Sequence, residues 1–281
     1  MYQDALQAGG WAVVTGGASG VGFAAAERFA QDGLSVLLAD LPGEALSEAA
    51  EAIGDLLVEG AEVTTLPTDV SDATAVQALA DAAFALGDVA VLMNNAGIGL
   101  PSSSWDHAEA WRKTLEVNLF GVINGLQAFL PRMVAANRPA VVINTGSKQG
   151  ITTPPGNPAY NVSKAGVKVA TESLAHELRE ARAPISAHLF VPGFTYTGMI
   201  SRHIPEKPAG AWTSEQTVDH LITRMTVGDF YILCPDNDVS QARDMRRVTW
   251  ALGDILENRP ALSRWHPDYA EQFAEFEQPK D

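Results

Sequence analysis

The chain is 281 residues long, 46% hydrophobic and 19% charged, enough for one large, well-covered core. A formal net charge of −15 repels phosphate backbones and anionic lipid, which argues against nucleic-acid and membrane partners and otherwise means only solubility. No apolar run reads as long enough to span a bilayer, no secretory leader is legible at the start, and Cys234 stands alone, so a cytoplasmic protein without disulfides is expected.

Short β-branched runs alternate with helix-like segments, the pattern of a mostly parallel sheet covered on both faces. Residues 11–14 read as the first strand and 21–31 as a helix stopped at Gly33. Strand 36–39, a helix over 44–57, strand 62–66, helix 73–86 and strand 89–93 follow. From Trp111 to Ala136, Leu115, Leu119, Val122, Leu126, Phe129 and Met133 recur at alternating steps of four and three, one face of a helix. Strand 140–144, helix 157–180, strand 185–190 and a candidate seventh strand at 229–233 complete the sheet. Residues 194–227, weakly periodic at first and rich in proline and glycine, read as a substrate lid in which Phe194, Met199, Ile200 and Trp212 could form an apolar cover. Residues 238–281 read as a helical extension of the same single domain, 1–281. The fold class is therefore α/β, a Rossmann-type doubly wound sheet of about seven strands.

The first strand runs into Thr15, Gly16, Gly17, Ala18, Ser19, Gly20, Val21 and Gly22. Glycines at 16, 20 and 22 permit a tight turn, let backbone N–H groups approach a pyrophosphate, and let the next helix pack closely. Asp40 closes the second strand, where a carboxylate accepts from adenosine ribose hydroxyls and repels a 2′-phosphate; Leu41 beside it adds no positive charge. The cofactor expected is NAD, although Asp40 could also simply open the turn at Leu41, Pro42 and Gly43.

Tyr160 and Lys164, at i and i+4, share one helix face, where a held ammonium favours a phenolate. Ser147 follows the fifth strand and Asn94 to Gly97 follow the fourth, all at the edge where open α/β sheets bind ligands. Asn118 is a polar residue inside an otherwise apolar helix. The six histidines lack metal-binding spacing, so no metal is expected. No Gly-x-Ser-x-Gly elbow suggests a hydrolase.

Together these motifs resemble the short-chain dehydrogenase/reductase family over roughly residues 10–235. The resemblance implies a parallel sheet in the order 3-2-1-4-5-6-7 and hydride transfer between a dinucleotide and a carbinol or carbonyl carbon. It implies Tyr160 as acid/base, Lys164 holding the nicotinamide ribose and lowering the tyrosine pKa, Ser147 orienting the substrate oxygen, and Asn118 anchoring a proton relay. It implies cofactor contacts from Gly16, Ala18, Ser19, Gly20, Val21, Gly22, Asp40 and Leu41. Asp69 and Val70 would meet the adenine, Asn95, Ala96 and Gly97 the adenosine side, and Pro192, Gly193 and Thr195 the nicotinamide end. The final strand lacks the glycine-rich close of many relatives, so a homodimer, or a higher homo-oligomer built another way, is expected. The tail, with His266 to Tyr269, is weakly similar to bacterial dehydrogenases of bulky aryl secondary alcohols, which tilts the expected alcohol or ketone substrate toward a bulky, hydrophobic one. A non-catalytic NAD sensor and a tight-NAD epimerase or dehydratase are the alternatives.

Overall fold

The computed structural model describes residues 2–201 and 204–278, without the side chain of Met199. Seven strands, β1 (Trp11–Thr15), β2 (Ser35–Asp40), β3 (Val63–Pro67), β4 (Val89–Asn94), β5 (Ala140–Thr145), β6 (Ile185–Val191) and β7 (Tyr231–Leu233), form one sheet in the order β3-β2-β1-β4-β5-β6-β7. All six pairings are parallel. Every residue of β1, β4, β5 and β6 is buried, because helices cover both faces and leave no polar side for alternation to reveal.

One face packs Val14, Leu38 and Ile143 against Phe29, Ile53 and Leu221. The other packs Val13, Leu92 and Val142 against Leu79, Phe129, Met133 and Leu178. Pairings such as Val14 with Met93, Asn94 with Asn144 and Thr145 with Phe190 bring the C-terminal ends of β1, β4, β5 and β6 to one edge. The functional side chains collect there.

Several elements depart from the sequence expectation. A helix at Tyr2–Ala8 is added, held by buried Tyr2, whose hydroxyl donates to Asp32 at 2.7 Å. The helix expected to reach Leu57 stops at Gly54. The expectation that no segment could span a bilayer is corrected for Ala108–Ala136, a helix of 29 residues that contains an 18-residue stretch with a mean hydropathy of 1.3. Here it is a packing helix of the sheet: Phe129 and Met133 are in the core, and Gly121 and Gly125 lie against Val70 and Asn94. It is also not continuous α-helix, because Glu116–Phe120 forms a widened π-helical turn.

Residues 194–227 divide in two. The first part contains the short helix Gly198–Ser201, and Trp212 bonds back to it, its N–H donating to Phe194 O at 2.8 Å. The second part is the helix Ser214–Thr226, started by a capping box between Thr213 and Gln216, with Val218, Leu221, Ile222 and Met225 in the core. Beyond β7, the helix Gln241–Leu256 carries buried Trp250, which stacks near Phe273 and Phe276 and donates to Ser263 Oγ at 2.8 Å. Glu277 ties this extension together by accepting from Arg243 at 2.7 Å and Arg247 at 2.5 Å. Those bonds hold its carboxyl pKa down at about 2.

Candidate active site

The turn after β1 cannot carry side chains at its key positions. Gly16 has φ +66°, and a Cβ there would lie 2.8 Å from Ala96 Cα; one on Gly22 would lie 2.2 Å from Gly16 O. The turn opens onto the helix Gly20–Gln31, whose N-cap, Ser19, makes no side-chain bond to the first turn. The N–H groups there stay free for an anion, which the helix dipole also favours. Asp40 leans over this turn: Oδ2 accepts from Ala18 N at 3.0 Å and Oδ1 from Leu41 N at 2.8 Å. The carboxylate therefore shapes both the glycine turn and the bend at Leu41, and each oxygen keeps a lone pair for a further donor.

Thr15 locks the next wall to this one. Its Oγ1 accepts from Asn95 N at 2.9 Å and Ala96 N at 3.3 Å. Asn95 Nδ2 donates to Gly16 O at 3.3 Å, and its Oδ1 accepts from Thr145 at 3.2 Å, so Asn95 bridges three strand ends. Asp69 Oδ1 accepts from the backbone and hydroxyl of Ser71, which turns the chain after β3. Val70 is buried against Gly121, and its carbonyl accepts from Asn124 at 2.9 Å.

A buried polar ladder sits under the site. Asn94 Nδ2 donates to Asn144 Oδ1 at 2.8 Å, and Asn144 Nδ2 to Thr171 Oγ1 at 3.1 Å, which joins β4 and β5 to the helix Pro158–Glu180. A Cβ on Gly125 would lie 2.1 Å from Asn94 Oδ1. Gly125→Ala is expected to destabilise the protein by about 1–3 kcal/mol, read as a lowered melting temperature. An unchanged melting temperature would mean that the ladder yields freely.

The reactive cluster stands on that frame. Asn157 caps the helix Pro158–Glu180 by accepting from Tyr160 N at 3.3 Å, and Ser102 Oγ donates to the same oxygen at 2.7 Å. Gly150 brings the short turn Gln149–Thr152 against the backbone of Lys164, where a Cβ would lie 2.5 Å from its carbonyl carbon. Lys164 is buried, its Nζ donating to Thr145 O at 2.8 Å and lying 5.8 Å from the Tyr160 ring centroid. Among the described residues Thr145 O is its one hydrogen-bond acceptor, so N–H directions remain for a ligand. Burial lowers the lysine pKa to about 8.

Tyr160 keeps some surface toward the cleft, yet burial of its hydroxyl pushes the phenol pKa upward, and the Ser147 hydroxyl beside it acts in the opposite direction. In the chain by itself the phenol stands above its usual value, because burial outweighs the Ser147 hydroxyl.

Asn118 is fully buried in the widened turn. Its Oδ1 accepts from Ile98 N at 2.7 Å, and its Nδ2 donates to Ile98 O at 2.9 Å and Ser163 Oγ at 3.2 Å. The side chain is thus an anchor between the loop after β4 and the Tyr160 helix. Gly97 fits against Asn118 and the Lys164 ammonium. Gly193 lies under the carbonyls of Cys234 and Pro235 beside Pro192. Thr195 turns inward, its hydroxyl 3.0 Å from that of Thr217, so it does not offer a free hydroxyl to the cleft.

Two features escaped the sequence, a residue at the glycine turn and an ion cluster beside Ser147. Thr197 faces Gly20 across the glycine turn. Lys148, next to Ser147, forms an ion cluster with Asp236 at 3.3 Å and Asp244 at 2.6 Å. Asp236 also accepts from Phe194 N, Asp238 N and Val239 N, so this cluster fastens the Ser147 loop to the C-terminal extension. Only the chemistry of Lys148 beside Ser147 could have signalled it. Among the described residues no group of three His, Cys, Asp or Glu could hold a metal ion.

The family model for short chain dehydrogenases matches residues 10–207. The chain is 37% identical over 261 residues to 1-deoxy-11-beta-hydroxypentalenate dehydrogenase of Streptomyces exfoliatus, covering 90% of this chain and 93% of that one. It is 32% identical to an NADP-dependent (R)-specific alcohol dehydrogenase of Lentilactobacillus kefiri, over 67% of this chain and 74% of that one. A short-chain dehydrogenase/reductase of Burkholderia phymatum, solved in complex with NAD, is similar at 33% identity with a TM-score of 0.79, covering 89% and 95% of the two chains. With the sheet order and strand-edge cluster described above, these likenesses make the chain a member of the short-chain dehydrogenase/reductase family of oxidoreductases.

Proposed function

We propose that this chain is an NAD-linked oxidoreductase that interconverts bulky, hydrophobic secondary alcohols and their ketones, with Tyr160 as acid/base. The observation that carries the reading is the convergence of Ser147, Tyr160 and Lys164 at the sheet edge beside a glycine turn that excludes side chains. The Streptomyces relative is named a dehydrogenase of a hydroxylated substrate, and the Lentilactobacillus relative an alcohol dehydrogenase, which supports chemistry at a carbinol carbon.

The relatives divide between NAD and NADP, so this chain's own residues carry the choice. Asp40 favours NAD: its carboxylate is positioned over Ala18 N, where it would accept from a ribose hydroxyl and repel a 2′-phosphate. The residues fit the dinucleotide in other ways too. Gly16, Ala18, Ser19, Gly20, Val21 and Gly22 present the pyrophosphate cradle, and Asp40 and Leu41 the ribose corner. Asp69, Val70, Asn95, Ala96 and Gly97 wall the adenosine side, Pro192, Gly193 and Thr195 the opposite end, and Lys164 offers unused N–H donors.

When bound, NAD would supply a nicotinamide ring that accepts the hydride in its positively charged oxidised form and returns it from its neutral reduced form. Tyr160 removes the carbinol proton in oxidation and gives it back in reduction. Ser147 donates to the substrate oxygen and stabilises negative charge that develops there. Lys164 holds positive charge beside the phenol, where burial makes it effective. Both amide N–H donors of Asn118 are taken by Ile98 O and Ser163, so its contribution to proton relay is to hold the widened turn and the Lys164 surroundings in register. The part of the lid region left to cover substrate lies before Ser214, since 214–226 is fixed in the core. Exposed Phe120, Val162 and Val169 on the helices carrying Asn118 and Tyr160 support pairing of two chains along those helices.

The sign of the tyrosine shift makes the reading testable by pH. A phenol held above its usual value is protonated at neutral pH, ready as an acid and scarce as a base. Alcohol oxidation is therefore expected to climb steadily between about pH 6 and about pH 10, while ketone reduction stays level or falls. Oxidation rates independent of pH across that window would remove Tyr160 from the base role.

A further inference from the structure

Beside the reactive cluster lies a cavity of about 340 Å³ between the turn after Ser147 and the C-terminal extension. Its wall begins at Lys148, the residue following Ser147, and continues through Gln149, whose N–H donates to Ser147 Oγ at 3.2 Å. Ile151, Leu233 and Trp265 supply apolar surface. The volume suits a ligand of modest size with a rigid apolar body.

The charges on its wall do not follow the rest of the protein. In a chain of net charge −15, the cavity is lined by Lys148, Arg247 and Arg264 against a single acid, Asp244. Two of the three cations are already matched. Lys148 pairs with Asp236 and Asp244, and Arg247 pairs with Glu277 at 2.5 Å. Arg264 is different: among the described residues its guanidinium makes no ion pair and no hydrogen bond. It rests over the Trp265 ring at 4.7 Å and the Phe273 ring at 5.0 Å, which fixes the plane of the fork without satisfying its donors. Burial and the neighbouring Arg247 charge lower its pKa, and the more distant carboxylates of Glu277 and Asp244 only partly offset them, so no acid is in direct contact to neutralise it.

We infer that this cavity is the distal part of the substrate site and that Arg264 binds a carboxylate on the substrate, so that the preferred substrates are bulky hydroxy or keto acids carrying the acid group away from the reacting carbon. The inference rests on the proposed alcohol–ketone chemistry at Ser147 and Tyr160, and it adds the substrate class. A planar guanidinium with free, parallel N–H donors suits a carboxylate in bidentate fashion, and the partly dehydrated cavity strengthens the contact. The apolar wall then holds the body between the acid group and the carbinol. Binding energy from this remote group serves to orient the reacting carbon.

The test separates binding from turnover. Calorimetric titration of the protein, with NAD present, would compare para-acetylbenzoate with para-acetylbenzamide, a near-isosteric pair of which only the first carries a charge on the distal group. The benzoate is expected to bind about 10- to 100-fold more tightly, the usual effect of a charge-assisted contact, and Arg264→Gln should remove that preference while leaving the benzamide within about twofold. Arg264→Lys should restore part of it, and an unchanged melting temperature in both variants would exclude a folding defect. Equal affinity for acid and amide, or an acid preference that survives Arg264→Gln, would overturn the inference. Oxidation of the matching alcohols by the same samples reads the oxidoreductase reading separately. A protein that prefers the benzoate but turns over neither alcohol keeps the anion site and loses the proposed chemistry.

Discussion

Tyr160→Phe is expected to lower kcat for alcohol oxidation by about 10²- to 10⁴-fold, with dinucleotide affinity and melting temperature nearly unchanged. The substitution removes one oxygen and keeps the ring. The helix start does not depend on that oxygen, because Asn157 accepts from the backbone N–H of Tyr160, and Ser102 holds Asn157 in place. Lys164 keeps its bond to Thr145 O, and Asn118 keeps its three bonds. What disappears is the hydroxyl beside Ser147, the group proposed to take the proton of the alcohol. Steady-state rates with saturating cofactor, together with a melting curve, check this. A phenylalanine variant that retained more than about a tenth of the activity would move the acid/base role to another group.

Asp40→Ala is expected to change which dinucleotide the protein prefers. Loss of the carboxylate removes a charge-assisted acceptor for the ribose, about 10- to 100-fold in NAD affinity, and lifts the repulsion of a 2′-phosphate. The ratio of kcat/KM with NAD to that with NADP should therefore fall by at least about 100-fold. The same carboxylate accepts from Ala18 N and Leu41 N, so a modest loss of stability should accompany the change. Affinities for both dinucleotides, measured on the folded variant, distinguish the two effects. If both cofactors weaken equally, Asp40 serves only to shape the turn.

The parts of this molecule that could be read from sequence are those whose signals are local. The strand cores are legible because a sheet buried on both faces is written as continuous apolar runs, as at Val89–Asn94 and Ala140–Thr145. The glycine turn and the Tyr160–Lys164 pair are legible because turn geometry and helix spacing act over a few residues. The helix Tyr2–Ala8 was missed because its seven residues carry little helix stability of their own; buried Tyr2, bonded to Asp32 thirty residues away, holds it. The helix Ser214–Thr226 did leave a local sign, the Thr213 and Gln216 capping box, which the surrounding proline and glycine obscured. The π-helical turn at Glu116–Phe120 is invisible to a spacing of threes and fours, although it puts Asn118 on the buried side. The cluster of Lys148, Asp236 and Asp244 is a purely tertiary feature, joined across most of a hundred residues by the return of β7 to the sheet edge. Within the site, the direction of the Tyr160 shift depended on burial, which sequence spacing does not report.

The most direct measurement is the near-ultraviolet absorbance of reduced nicotinamide when the purified protein is mixed with NAD, or separately with NADP, and a panel of small and bulky secondary alcohols, neutral and acid-bearing. Absorbance that rises with NAD, more slowly or not at all with NADP, and fastest on the bulky alcohols is the expected result. No rise with either cofactor on any alcohol, and no loss of reduced cofactor with the matching ketones, would contradict the proposed alcohol–ketone chemistry.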